Sequence, residues 1–295
     1  MLTRTDIRIN RLLFATLAAL QLFMILLPLT GLSHAWALLP ALFTNTFWSL
    51  IHEAIHGHLF ASRKTSILGG RVLGILYGAP FHVLQRGHLL HHAYSRTPRE
   101  RTEIYDSRKQ NRLAACLRYY AQILGGLYIA EVLTGLLLML LPASGIRWLS
   151  RKLESPDSVV GPLLDAQSQP DKALSNRQDA LVILLLFVAA FWLYEEAWPW
   201  LTAALMLRAF LISFFDNSYH YATPLDAPQH ALNLDAPPWL DLVLLNFNRH
   251  GTHHQHPSLG WRALGNQADL RSPRLGLVTA LLRQLKGPVD ITKLS

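Results

Sequence analysis

Eight of the fourteen histidines fall into clusters with helical spacing, and a ninth, His220, stands alone after an apolar run. They are His52 and His56 in HEAIH, His88, His91 and His92 in HLLHH, His220 in DNSYH, and His250, His253 and His254 in HGTHH. Neutral imidazole is a good ligand for iron and for zinc. An i,i+4 pair on a helix shares one face, so His52 and His56 can point at a single centre. The H-x-x-H-H pattern occurs twice and places its first and later histidines on one face in the same way. One ion takes three or four protein ligands, so nine candidates imply two metals. Glu53 is suited to orienting a ligand through an N–H···O bond. Asp216 and Asn217, four and three residues before His220, are candidates for the same supporting role or for a contact through water.

Two other readings use the same residues. HEAIH also satisfies H-E-x-x-H, the pattern of a membrane zinc metalloprotease with Glu53 as base. A non-catalytic membrane metal-binding protein is the other. Against the protease stand seven further clustered histidines where one additional ligand would do. His58 and His256 adjoin the boxes without repeating their spacing, and His34, His82 and His230 suit loops or interfaces. The expectation is a membrane-embedded dinuclear metal enzyme, with a di-iron oxidase as its chemistry.

The elements that position these residues are apolar. Of 295 residues 51% are hydrophobic and 16% charged, below the roughly 25% charge of soluble domains. The one cysteine, Cys116, excludes an internal disulfide and a cysteine-rich metal site. The formal charge of +8 comes from basic residues flanking apolar runs, which points to lipid headgroups rather than nucleic acid. No P-loop or dinucleotide fingerprint is present. Arg4, Arg8 and Arg11 ahead of an apolar run, with AWA at 35–37, resemble a signal peptide, but the length of the run favours a retained transmembrane helix.

Transmembrane helices are expected at about 12–30, 35–58, 181–194 and 199–215. The ligands must meet on one side, and 61–112 has ten Lys or Arg against three acids, which marks it cytoplasmic. Glu195–Pro199 forms an external turn between two apolar arms. Parity then requires 117–143 to enter and leave on the same side, as a re-entrant or interfacial helical hairpin broken at Gly125-Gly126. The segment 150–180, with Pro156, Pro162 and Pro170, reads as a loop with at most short helices. Pro237-Pro238 starts a helix on the membrane face, and 270–287 is a short basic amphipathic helix. The fold is therefore all-α and integral to the membrane, a single domain over 1–295. It has four spanning helices, the embedded 117–143, and a cytosolic helical cap from 61–112, 144–179 and 216–295 that holds the metals.

These boxes resemble those of the membrane fatty acid desaturase and hydroxylase superfamily. Its H-x(3,4)-H, H-x(2,3)-H-H and late H-x-x-H-H boxes correspond to His52/His56, His88/His91/His92 and His250/His253/His254, and its extra histidine to His220. The resemblance covers about 50–260. HEAIHG and HHQHP are similar to bacterial acyl-lipid desaturases and carotenoid-modifying relatives. Where acyl-CoA desaturases have an asparagine four residues before the extra histidine, this chain has Asp216, with Asn217 shifted by one. The resemblance implies a multi-pass protein of the bacterial inner membrane with a cytoplasmic active site. It implies two iron ions, O₂-dependent desaturation of a fatty acyl or similar chain, or hydroxylation or ketolation of a lipid or carotenoid. It also implies a separate ferredoxin, rubredoxin or cytochrome donor. Arg96, Arg99 and Arg101 are candidates for lipid phosphate or an acidic carrier, and Arg112, Arg118, Tyr119 and Tyr120 for an acyl headgroup.

Overall fold

The computed structural model describes residues 2–227, 229–267 and 272–294. Its contacts divide the chain into two compact units. The first comprises 1–89, 129–154 and 160–208, and the second 90–128, 155–159 and 209–295.

The first unit begins with α1 (Arg4–Leu26), started by a capping box in which Thr3 and Asp6 satisfy each other's amides. The stretch 35–58, expected as one spanning helix, is broken. A 3₁₀ turn at His34–Ala37 leads to the short α2 (Leu38–Leu42), and α3 (Thr44–Ile55) begins after Phe43. Pro40 has no amide proton for a helical ladder, and Phe43 leaves the helical region at φ −89, ψ 15. Next come α4 (Arg63–Tyr77) and α5 (Phe81–Tyr94), which meet at a bend of 102°. Gly78 makes that elbow at φ +107, in a region open mainly to glycine.

Two further helices, α6 (Arg112–Ala121) and α7 (Leu127–Leu140), occupy the expected hairpin region. A π turn joins them at Gln122–Gly126, with Gly125 at φ +143, so the break falls at the glycine pair. The segment 150–180, read as a loop with at most short helices, holds the end of α8 (Ala143–Lys152), the short α9 (Val160–Gln167) and the start of α10 (Pro170–Tyr194), which begins earlier than expected. Pro162 and Pro170 stand in the first turns of α9 and α10, whereas Pro156 lies in a turn. Pro170 is the first residue of α10, where a missing amide proton costs nothing. Val83, Leu138, Ile146, Leu164 and Ala173 form the apolar core beneath these helices.

A 3₁₀ turn at Glu195–Ala197 joins α10 to α11 (Trp198–Ser218), with Glu195 at φ +45. The chain reverses there. Asp179 pairs with Arg71 and Arg208 donates to the Tyr77 carbonyl. Those partners are about 9 Å apart along α4, whereas Asp179 and Arg208 would be roughly 43 Å apart on one straight helix. The hairpin expected around the acidic turn is therefore present. Arg208 is fully buried. It donates to the carbonyls of Leu76 and Tyr77 at 3.3 and 2.8 Å and to Gln21, satisfying the end of α4 where the elbow leaves its carbonyls open.

Among the described residues three helical stretches are long and apolar enough to cross a membrane: Arg4–Thr30, Arg112–Leu140 and Pro170–Ser218. The bent α4–α5 pair would add a fourth. Leu185 and Trp192 on α10 are 60% and 75% exposed, an apolar surface that suits lipid.

In the second unit Tyr119, Ile123 and Tyr221 form a core against Phe214 and Val289. Short parallel ladders join β1 (Ile104–Tyr105) to β4 (Val289–Asp290) and β2 (Asn233–Asp235) to β3 (Arg274–Gly276). Small helices complete it: α12 (Pro238–Val243), α13 (His250–Gln255), α14 (Trp261–Asn266) and α15 (Leu277–Arg283). Pro238 opens α12 as the sequence suggests. Of the expected tail helix over 270–287, residues 270 and 271 lie outside the described residues, and α15 followed by a 3₁₀ turn at Gln284–Lys286 accounts for the helical part.

Candidate metal centre

The second unit contains a complete four-histidine cluster. The end of α5 supplies His91, the turn after α11 supplies His220, and α13 supplies His250 and His254, four residues apart on one face. Their Nε2 atoms converge. His91 lies 3.0 Å from His220 and 3.2 Å from His254. His250 lies 3.0 Å from His220 and 3.1 Å from His254. All four residues are buried in this cluster.

The outward nitrogens explain the orientation. His91 Nδ1 donates to the Glu100 carboxylate at 2.6 Å, which leaves its Nε2 lone pair facing inward. Ser95 Oγ lies 3.2 Å from His220 Nδ1. The ring of His250 packs on Tyr219, with centroids 4.6 Å apart, and on Phe247 at 4.9 Å. Burial, reinforced by His91, pushes the pKa of His220 well below the ordinary histidine value. Burial, reinforced by His254, does the same for His250. Both are thus neutral near pH 7, the form a metal requires.

The donor set fits a metal ion. Four nitrogens each about 2 Å from one ion are separated by about 3 Å, close to the observed spacing. A cation among them would give all four inward nitrogens one common partner in a buried site, where a polar group without a partner is costly.

The remaining five histidines form two smaller sets. In the first unit His52 and His56 from α3 meet His88 from α5. His88 Nε2 is 3.0 Å from His56 Nε2, and the His52 ring centroid is 4.6 Å from that of His56 and 4.5 Å from that of His88. Gln85 secures α5 to α3 by donating to the Ile55 carbonyl at 3.2 Å. In the second unit His92 and His253 bring their Nε2 atoms within 2.9 Å. Every histidine singled out by spacing therefore faces another one.

The supporting candidates are placed differently. Glu53 is buried on α3, and Asp216 is half-buried on α11; neither carboxylate belongs to a metal-capable group among the described residues. The Asn217 amide donates to Tyr119 Oη at 3.1 Å and to Gln284 Oε1 at 2.8 Å, so it ties α11 to α6 and to the turn after α15. His34, His58, His82, His230 and His256 also stand outside the metal-capable groups.

The headgroup candidates likewise have internal partners. Tyr119 and Tyr120 donate to the carbonyls of Gln284 and Leu285, and Arg118 to that of Ile104. Arg99 donates to the carbonyls of Ser155 and Ser158. Sequence spacing misses Glu100 and Ser95. Glu100 is nine residues past His91 and beyond the end of α5, so no helical period signals it.

The family model described as Fatty acid desaturase matches residues 31–283. No curated protein and no solved structure matches the chain. The matched stretch takes in all nine histidines and most of the apolar helices, and on that coverage this membrane oxidoreductase belongs to the fatty acid desaturase family.

Proposed function

We propose that the protein holds two iron ions on its nine histidines and uses O₂ to desaturate a fatty acyl or similar long-chain lipid. One ion takes His91, His220, His250 and His254. The other takes His52, His56, His88, His92 and His253. His88 and His92 lie four residues apart on α5, so both face one way and are suited to a common ion. The observation that carries the reading is the inward convergence of four imidazole nitrogens, with the outward nitrogens of His91 and His220 held by Glu100 and Ser95.

Bound iron supplies O₂ activation and the abstraction of hydrogen from an unactivated C–H bond. The chain's own residues do the rest. Glu100 fixes the tautomer and angle of His91, and Ser95 steadies His220. Tyr219 and Phe247 shield His250 from water. Lipid-facing helices let an apolar chain arrive without entering water.

Electrons come from a separate ferredoxin, rubredoxin or cytochrome. The centre faces the cytoplasmic side of a bacterial inner membrane, where 61–112 carries its excess of basic residues.

Comparison of lipids from cells with and without the gene, grown in air, tests the chemistry. New double bonds are expected. A mass gain of one oxygen would instead make the protein a hydroxylase, and a gain of one oxygen with the loss of two hydrogens a ketolase. Unchanged acyl lipids and carotenoids, with iron-loaded protein and a competent donor, would overturn both.

A further inference from the structure

The segment after the second histidine box is held by a charge pair that metal ligation does not use. Arg96 and Glu103 are 2% and 1% exposed. Arg96 Nη1 lies 2.7 and 2.9 Å from the two Glu103 oxygens, and Nη2 donates to the Thr223 carbonyl at 2.8 Å. A buried pair pays a large desolvation cost and contributes little net stability, so its value lies in the geometry it fixes.

That geometry is strained. Arg96 has φ +67 and Ala222 φ +55, a region unfavourable to non-glycine residues. The same pair restrains both positions. Arg96 is itself one partner, and the Ala222 amide donates to Glu103 Oε1 at 2.9 Å. The backbone of Arg96 is bonded on both sides, donating to the Glu100 carbonyl at 2.8 Å and accepting from the Asp226 amide at 3.0 Å.

The pair connects two ligand supports. On one side are Ser95 and Glu100, the outward partners of His220 and His91. On the other is Thr223, whose amide and hydroxyl both donate to the His220 carbonyl, at 3.1 and 2.9 Å. We infer that Arg96 and Glu103 are positioning residues of the four-histidine position, holding His91 and His220 converged before metal arrives. The inference rests on that cluster being a metal site, as proposed above. It follows that this position takes metal without His52 and His56.

Cobalt(II) titration of the metal-free full chain in detergent tests the inference, read by visible d–d absorption and by bound cobalt. Wild type is expected to take two ions, and H52A/H56A to keep one with the absorption of the four-histidine position. Glu103→Gln keeps the side chain's shape and its bond to Ala222 but removes the charge. It should weaken cobalt at this position about tenfold or more and change its absorption while the other ion is retained; Glu103→Asp should recover part of the loss. R96M/E103L, an apolar replacement of the pair, should do the same if it folds, and Glu103→Gln decides if it does not. A folded Glu103→Gln with wild-type affinity and absorption would overturn the inference, because a general staple would lower the melting temperature without altering the cobalt spectrum. Wild type that binds no cobalt would instead overturn the metal reading itself.

Discussion

His91 combines an inward Nε2 with an outward nitrogen held by a carboxylate, the arrangement that fixes a metal-bound imidazole. Replacing His91 or His253 with alanine should lower iron content and abolish turnover; full iron occupancy in either variant would remove that residue from the ligand set. His220 and His250 add a pH dependence. Burial depresses their pKa in the folded chain, so below the unfolded value of about 6.5 the unfolded state binds more protons and stability falls. These two groups should therefore lower the melting temperature of the metal-free protein as pH drops from about 7 to 5, against Asp216, whose pKa desolvation raises to about 6; a melting temperature that rises over that range would contradict their burial as neutral groups. Eight of the nine ligand candidates were legible because i,i+3 and i,i+4 spacing is written in the chain; His220 was legible from its place after an apolar run and from the family resemblance. Glu100 and the Arg96–Glu103 pair were not: their roles depend on partners such as His91, Thr223 and Ala222, and on a left-handed residue that is not glycine.

The elbow between α4 and α5 determines where His88 points, and Arg208 holds it from α11. Carbonyls left open away from water are costly, so Arg208→Met should lower the melting temperature in detergent far more than Arg208→Lys, whose ammonium can still reach carbonyls. Equal melting of the two variants would show that the guanidinium does not cap α4. The arginine was unreadable in advance because it sits singly in an apolar run and its acceptors are backbone atoms some 130 positions earlier in the chain. Other misreadings were local. Pro170 opens α10 rather than marking a loop, and the break at Phe43 divides a stretch whose hydropathy suggested one helix. The Glu195–Pro199 turn, the break at Gly125-Gly126 and the start of α12 at Pro238 were legible because a reversal in an apolar run, a glycine pair and a proline pair each restrict the backbone directly.

For the whole molecule, the prediction is that residues 1–11, 61–112, 144–179 and 216–295 share the cytoplasmic side, with 31–34 and 195–198 opposite. Labelling of single introduced cysteines in a Cys116-free background checks it. Labelling of residue 165 from outside would mean that Arg112–Leu140, long enough to cross, does cross. Metal analysis of the detergent-purified full chain, with iron and zinc counted per polypeptide, tests whether nine histidines hold two irons. Two irons and negligible zinc are expected. One zinc and no iron would contradict that assignment.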